Sequence, residues 1–238
     1  MPNITKHLPN AITCANLFSG CVGIVLAFQH HLLFGAYAIF VAAIFDFFDG
    51  FAARLLHAYS NMGKELDSLA DVVSFGVLPG VILYQLFLES PQIAGVSEYL
   101  NYIAFLIPVF SALRLAKFNL DARQAEIFIG LPTPANAILI ASLPITLLHQ
   151  NVFYEPYILN AFSLSCFVLV MCMLLVAEMP LMSLKFKGFG LKGNIYRYLL
   201  IGLSAIMLVI FKFAAIPMVI FVYIAISIFQ FKIAHDKV

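Results

Sequence analysis

The sequence predicts an all-α fold: one polytopic integral-membrane bundle of about eight transmembrane helices, with both termini on the cytoplasmic side. Three observations predict it. Of 238 residues, 63% are hydrophobic and 11% charged, with a mean hydropathy of +1.00, whereas a soluble domain is about half apolar and about a quarter charged. The apolar residues fall into runs close to the roughly 20 residues that a helix needs to cross a bilayer. The basic residues are confined to alternate connections between those runs.

The first span, about 10–28, is interrupted by Asn10, Thr13 and Asn16. The second, 32–57, begins LLFGAYAIFVAAIF and ends with Asp46, Asp49 and Arg54. The third, 64–88, carries Asp67 and Asp71 ahead of VVSFGVLPGVILYQLFL. The fourth, 98–118, closes on Arg114 and Lys117. Pro132 and Pro134 cannot sit inside a regular helix, so the fifth span starts there and runs to about 149. The sixth covers 156–177. The seventh (195–212) and eighth (214–232) meet at FKFAAIP, which demands a very tight connection; a re-entrant hairpin is the alternative. In this arrangement one side collects Lys6, Arg54, Lys64, Arg114, Lys117, Arg123, Lys185, Lys187, Lys192, Arg197, Lys232 and Lys237, 12 of the 13 Lys and Arg. Only Lys212 lies opposite. The rule that basic loops stay inside puts that side in the cytoplasm.

Other classes recede. A net charge of +1 argues against a nucleic-acid partner. Cys14, Cys21, Cys166 and Cys172 lie in apolar stretches without a CxxC pair, which reads as reduced thiols. Residues 1–9 are polar and short, so no cleavable signal is expected. The basic, glycine-containing segment 185–197 reads as a loop lying on anionic headgroups.

The chemistry concentrates between 46 and 71. A charge at the bilayer centre costs about 2.5–3.5 kcal/mol on insertion scales, yet this stretch holds Asp46, Asp49, Arg54, Lys64, Glu65, Asp67 and Asp71. Asp46 and Asp49 are spaced i, i+3, and Asp67 and Asp71 i, i+4, so each pair shares a helix face. The connection near LHAYSNM is short enough to make the two helices antiparallel neighbours. Four carboxylates then converge near the cytoplasmic edge. Hard divalent cations prefer oxygen ligands, so Mg2+, Mn2+ or Ca2+ fits, and four aspartates suffice for two ions. The histidines are scattered at ends and in loops, so zinc does not fit. Gly50, Ala53 and Gly63 leave room beside the carboxylates, and Arg54 offers a planar fork suited to phosphate. Together these residues point to a diphosphate; a structural ion-pair cluster is the plainer alternative.

The pattern Asp-x2-Asp-Gly-x2-Ala-Arg-x8-Gly-x3-Asp-x3-Asp, matched at Asp46, Asp49, Gly50, Ala53, Arg54, Gly63, Asp67 and Asp71, resembles the signature of the CDP-alcohol phosphatidyltransferases. The resemblance implies transfer of a phosphatidyl group from a CDP-linked lipid to an alcohol, with release of CMP. It makes Asp46, Asp49 and Asp67 metal ligands, and Asp71 a ligand, the general base, or both. Gly50, Ala53, Arg54 and Gly63 would hold the nucleotide and its diphosphate. Asn10, Thr13 and Asn16 form a polar stripe on span one, suited to hydrogen-bonding the cytosine edge or ribose, or to interhelical packing; Asn10 and Thr13 are taken as nucleotide-binding.

Three further stretches resemble the phosphatidylserine synthase branch: LPNAITCANLFSG at 8–20, SLADVVSFGVLP at 68–79, and RLAKFN at 114–119 followed by GLPTPANA at 130–137. With them the resemblance covers about the first 145 residues, and it names CDP-diacylglycerol and L-serine as substrates. On it, 1–238 is one membrane domain, with a catalytic core over about 8–150 and additional helices over 151–238. Arg114, Lys117, Asn119 and Asn136 become acceptor-site candidates, with Arg114 and Lys117 also readable as snorkelling anchors. Where the branch has a second arginine, this chain has Lys117. A homodimer among membrane lipids of the inner or plasma membrane is also implied. The competing readings are the same chemistry with glycerol 3-phosphate or inositol, and a cation- or proton-coupled transporter. The near-uncharged distal halves of the spans and the absence of an inverted repeat disfavour the transporter.

Overall fold

The computed structural model describes residues 7–91, 97–121, 128–182, 190 and 194–235. Lys6, Arg123, Lys185, Lys187, Lys192 and Lys237, and with them most of the 185–197 segment, lie outside the described residues.

Helix α1 (Leu8–Phe28) starts with Pro9 in its first turn, where a missing N–H costs nothing. A three-residue turn, with His30 at φ +62°, returns the chain into α2 (Leu32–Leu55). The next connection is Leu56 to Ser60, with His57 at φ +49°. Helix α3 (Asn61–Asp71) then begins at a capped end: the Gly63 N–H donates to Ser60 Oγ at 2.9 Å, which satisfies one orphan donor of the first turn. It passes without a break through a π-helical segment, Val72–Val77, into α4 (Leu78–Glu89). A short turn α5 (Ser97–Leu100) and a 3-10 segment (Asn101–Phe105) lead into α6 (Leu106–Leu120).

The second half begins with strand β1 (Phe128–Ile129), followed by α7 (Thr133–Ile158) and α8 (Ala161–Val176). Strand β2 (Pro180–Leu181) pairs antiparallel with β1, tying the approach to α7 to the end of α8. The Gly130 and Leu131 N–H groups add bonds to the carbonyls of Met179 and Leu174. Helix α9 (Ile195–Phe211), a 3-10 turn (Lys212–Ala214) and α10 (Ala215–His235) complete the chain.

Among the described residues, five helical stretches are long and apolar enough to cross a membrane: Leu8–Phe28, Leu32–Leu55, Asn61–Glu89, Asn101–Leu120 and Ile195–Gln230. Thr133–His149 and Ala161–Val176 are shorter apolar helices. Lys212, at φ +51°, divides Ile195–Gln230 into α9 and α10, so the described residues supply a helix for each predicted span, and FKFAAIP is the tight turn that the sequence requires. Two boundaries differ. Helix α7 runs through Pro144 and Pro156 to Ile158, where the sequence separates span five at 149 from span six at 156. Proline is tolerated inside apolar bundles because neighbours satisfy the freed carbonyl. The boundary is set instead by Asn160, whose side chain accepts from the Phe162 and Ser163 N–H groups and caps α8. The β1–β2 ladder is unanticipated; two residues leave no alternation to read.

The core gathers on the π segment and α4, where Phe75, Leu78, Ile82, Leu83, Leu86 and Phe87 are fully buried. Helix α6 crosses this segment at close range: a Cβ at Gly76 would lie 3.1 Å from Ser111 Cβ and 3.3 Å from Pro108 Cα. Side-chain-free approach of this kind is how membrane helices gain packing contact without a hydrophobic driving force.

Candidate active site

Three of the four aspartates whose convergence the spacing predicts come together. One carboxylate oxygen from each of Asp46, Asp49 and Asp67 lies within 4.8 Å of the others. Asp49 is buried, and Asp46 and Asp67 are half-buried. Among the described residues no Lys or Arg forms an ion pair with any of the four aspartates, and Asp67 Oδ1 is buried without a partner. Three unneutralised carboxylates at this separation repel one another strongly in a low-dielectric setting. A hard cation relieves that repulsion and uses the unpartnered oxygen, so the donor set fits a divalent metal. Asp71, one turn beyond Asp67, is more deeply buried and lies within electrostatic range of the other three.

Helix α1 supports two of these groups. The Thr13 hydroxyl lies 2.7 Å from Asp49 Oδ2 and 3.0 Å from the Pro9 carbonyl, a single proton between two acceptors. Asn16 Nδ2 donates to Asp71 Oδ1 at 3.3 Å. The i, i+3 stripe of α1 thus reaches one carboxylate from α2 and one from α3. The sequence left the stripe open between nucleotide binding and interhelical packing, with Asn10 and Thr13 taken for the nucleotide; the Thr13 and Asn16 contacts go to protein.

A cleft of about 210 Å3 opens beside the carboxylates. Of the sequence candidates, Asn10, Thr13, Asp49, Ala53, Gly63 and Asp67 line it. A Cβ at Gly63 would come within 3.0 Å of both Asn10 Oδ1 and Ser60 Oγ, so glycine keeps the cleft floor open. Tyr59, Ser60 and Lys64 also line it and were not singled out from the sequence; the Ser60-x-x-Gly63 cap beside the signature was the available signal. Gly50 lies outside the lining, and the Arg54 guanidinium nitrogens sit 4.0 Å from where its Cβ would be. Arg54 itself is exposed.

The acceptor candidates divide. Arg114 is buried, donates through Nη1 to Thr133 Oγ1 at 3.1 Å, and stacks 5.5 Å above Phe118, yet its Nε has no partner. It lies within electrostatic range of Asp71. Asn136, one turn after Thr133, is fully buried with both amide atoms unpartnered. Pro132 and Pro134 do end the irregular segment, with α7 starting between them. Lys117 is exposed and pairs with Glu178 at 2.9 Å. Asn119 donates to Ser68 Oγ at 2.9 Å and accepts at its carbonyl from Lys64 Nζ at 3.2 Å, bridging α6 to α3. None of these four lines the cleft.

The chain matches the family model for CDP-alcohol phosphatidyltransferase over residues 6–182. It belongs to the CDP-alcohol phosphatidyltransferase family. The match covers more than two thirds of this phosphatidyltransferase chain and runs past the 145 residues over which the motifs are legible. A CDP-diacylglycerol–serine O-phosphatidyltransferase of Bacillus subtilis (strain 168) is 35% identical over 154 residues, 65% of this chain and 80% of that protein. A protein of the same description from Mycobacterium leprae (strain TN) is 40% identical over 143 residues, 57% of this chain and 46% of that one. An archaetidylserine synthase from Methanothermobacter thermautotrophicus (strain Delta H) is 32% identical over 145 residues, 58% of each. The chain therefore spans about half the length of the latter two.

Proposed function

We propose that this phosphatidyltransferase moves the phosphatidyl group of CDP-diacylglycerol onto the hydroxyl of L-serine and releases CMP. The observation that carries the reading is the Asp46–Asp49–Asp67 cluster, unneutralised by any described cation, with Asp49 and Asp67 lining a cleft at the family signature. The names of the relatives support serine: they share that acceptor while one differs in its lipid.

In this reading Asp46, Asp49 and Asp67, together with Asp71, would hold divalent metal, two Mg2+ or Mn2+ ions, with Ca2+ the third choice. Divalent metal bound there would supply neutralisation of the charge that develops on the bridging phosphate oxygen and on the departing CMP. Asn10, Thr13, Gly50, Ala53, Arg54 and Gly63 bind the nucleotide and diphosphate, with Arg54 reaching the phosphates from the rim. Asp71 takes the proton of the serine hydroxyl. That oxygen bonds to the lipid phosphorus as the bond to the CMP oxygen breaks. A buried guanidinium without a carboxylate partner is costly, and the serine carboxylate supplies one: Arg114 and Asn136, with three unmet polar atoms between them, form the acceptor side. Lys117 and Asn119 act at its edge. The site faces the cytoplasm of the inner or plasma membrane, from the asymmetry of basic residues, and the protein assembles as a homodimer. Residues about 8–150 form the catalytic core, and 151–238 add helices around it.

The test is CMP release from CDP-diacylglycerol by purified protein in detergent with Mn2+ or Mg2+, against serine, glycerol 3-phosphate and inositol. Serine-dependent release abolished by EDTA is the expected result. Release driven by another alcohol overturns the serine assignment and leaves the metal site standing.

A further inference from the structure

Asn16 occupies a position that neither the signature nor the cleft accounts for. It is fully buried on α1, one turn beyond Thr13. Its Nδ2 is the hydrogen-bond donor that reaches the Asp71 carboxylate, at 3.3 Å, and among the described residues no other side chain does so. Its Oδ1 is buried with no partner. Its backbone carbonyl accepts from Ser74 Oγ at 3.0 Å. Ser74, also fully buried, belongs to the π segment that begins at the residue after Asp71.

These contacts form a closed device. A π segment widens the helix by one residue per turn and breaks the regular ladder, and such segments recur at functional sites. Here it starts where Asp71 must be aimed, and its Ser74 is latched to the backbone of the very residue whose amide holds Asp71. Helix α1 therefore fixes both the start of the π segment and the carboxylate in front of it. An amide is suited to the place because it donates and accepts on one rigid plane. The N–H side pins one Asp71 oxygen and leaves the other free for an incoming proton. The bare Oδ1, which is costly to bury unmet, is an acceptor for an O–H or N–H that arrives beside Asp71.

We propose that Asn16 is a positioning residue for the acceptor: it fixes the rotamer of Asp71 and receives, through Oδ1, a hydrogen bond from the hydroxyl or ammonium group of the incoming amino alcohol. Ser74 is its anchor. This rests on the reading of Asp71 as the group that takes the acceptor proton, and it assigns α1 a role in acceptor geometry as well as in nucleotide binding.

Steady-state kinetics on the full-length protein in detergent, with Mn2+ affinity followed by electron paramagnetic resonance, tests it. Asn16→Leu removes both hydrogen-bonding functions, and Asn16→Asp keeps the shape and removes the donor. Each should lower kcat about 10- to 100-fold and raise the KM for serine, while the KM for CDP-diacylglycerol stays within threefold of wild type; Mn2+ affinity is expected to fall only as far as Asp71 contributes to the metal. Ser74→Ala should lower kcat only severalfold. If Asn16→Leu does not fold, the isosteric Asn16→Asp carries the test. Unchanged kcat and serine KM in a folded Asn16 variant overturn the proposal. So does a uniform loss, in which both KM values and the melting temperature move together, because that marks a packing role. Asp71→Asn separates the two readings. If it retains activity, the assignment of Asp71 fails, and the role of Asn16 with it. If it is inactive while Asn16→Asp is not, only the inference about Asn16 falls.

Discussion

Asn61–Glu89 and Ile195–Gln230 are both apolar enough to cross a membrane, yet 72% of the most apolar window of the first is buried inside the chain and only 11% of that of the second. The first carries Asp67, Asp71, Ser74 and Gly76 and packs against α1 and α6. The second presents Ile206, Val209 and Ile210 outward. A helix facing lipid has only to be apolar, because lipid tails give no penalty for exposure and no reward for a specific neighbour. A helix that carries polar atoms at membrane depth must be enclosed by protein that meets them. Enclosure, rather than hydropathy, therefore marks where the candidate site of this chain lies.

The contrast breaks most visibly at the carboxylates. Asp67→Ala removes the unpartnered oxygen from the three-aspartate cluster, and CMP release should fall by about three orders of magnitude, as it should on addition of EDTA to the wild type. Isothermal titration of Mn2+ gives an independent reading, with affinity falling in parallel. An Asp67→Ala protein that still binds Mn2+ with wild-type affinity would place the metal elsewhere.

Thr13 sharpens the comparison, because it acts through Asp49 from a neighbouring enclosed helix. Thr13→Val keeps the volume and removes the donor 2.7 Å from Asp49 Oδ2. Partners of metal ligands are worth about 10- to 100-fold in affinity or activity, so a loss of that size is expected in Mn2+ titrations and initial rates. An unchanged Mn2+ affinity would mean that the hydroxyl serves the Pro9 carbonyl instead.

What was legible in the sequence follows the same division. The Asp46–Asp49 and Asp67–Asp71 pairs were readable because helical periodicity fixes faces and a short connection near LHAYSNM fixes the neighbour. Asn16 to Asp71 and Arg114 to Thr133 were not, because these partners lie 55 and 19 residues apart and depend on how α1, α6 and α7 rotate about their axes. The π segment leaves no compositional mark, and VVSFGV scans as ordinary apolar helix. Lys117 was grouped with Arg114 by their i, i+3 spacing, yet one is exposed to Glu178 and the other buried; spacing shows a shared face and not its depth.

A smaller effect is expected at the rim. Ser60 accepts from the Gly63 N–H and caps α3, and Ser60→Ala should cost about 1 kcal/mol, or roughly 2–4 °C in melting temperature at this length. Because the cap also sets where the cleft floor begins, the KM for CDP-diacylglycerol should rise a fewfold while kcat holds. A thermal scan beside the kinetics separates the two; a normal melting temperature with a raised KM would make Ser60 a direct ligand contact.

The smallest effect tests the other half of the comparison. Val209 is 81% exposed within the chain, and in α9 only Leu200 is buried. If α9 meets lipid alone, Val209→Ala changes neither packing nor polarity there, and stability should stay within about 0.5 kcal/mol with CMP release at the wild-type rate. Leu200→Ala on the same helix should cost about 2–5 kcal/mol, the usual range for a buried leucine. Equal losses at the two positions would mean that the outer face of α9 is covered in the membrane. A shift of the intact protein from dimer to monomer on substitution at Val209 would identify a second copy of this chain as the cover. Enclosure would then extend beyond one chain, and the 11% figure would describe an unassembled subunit.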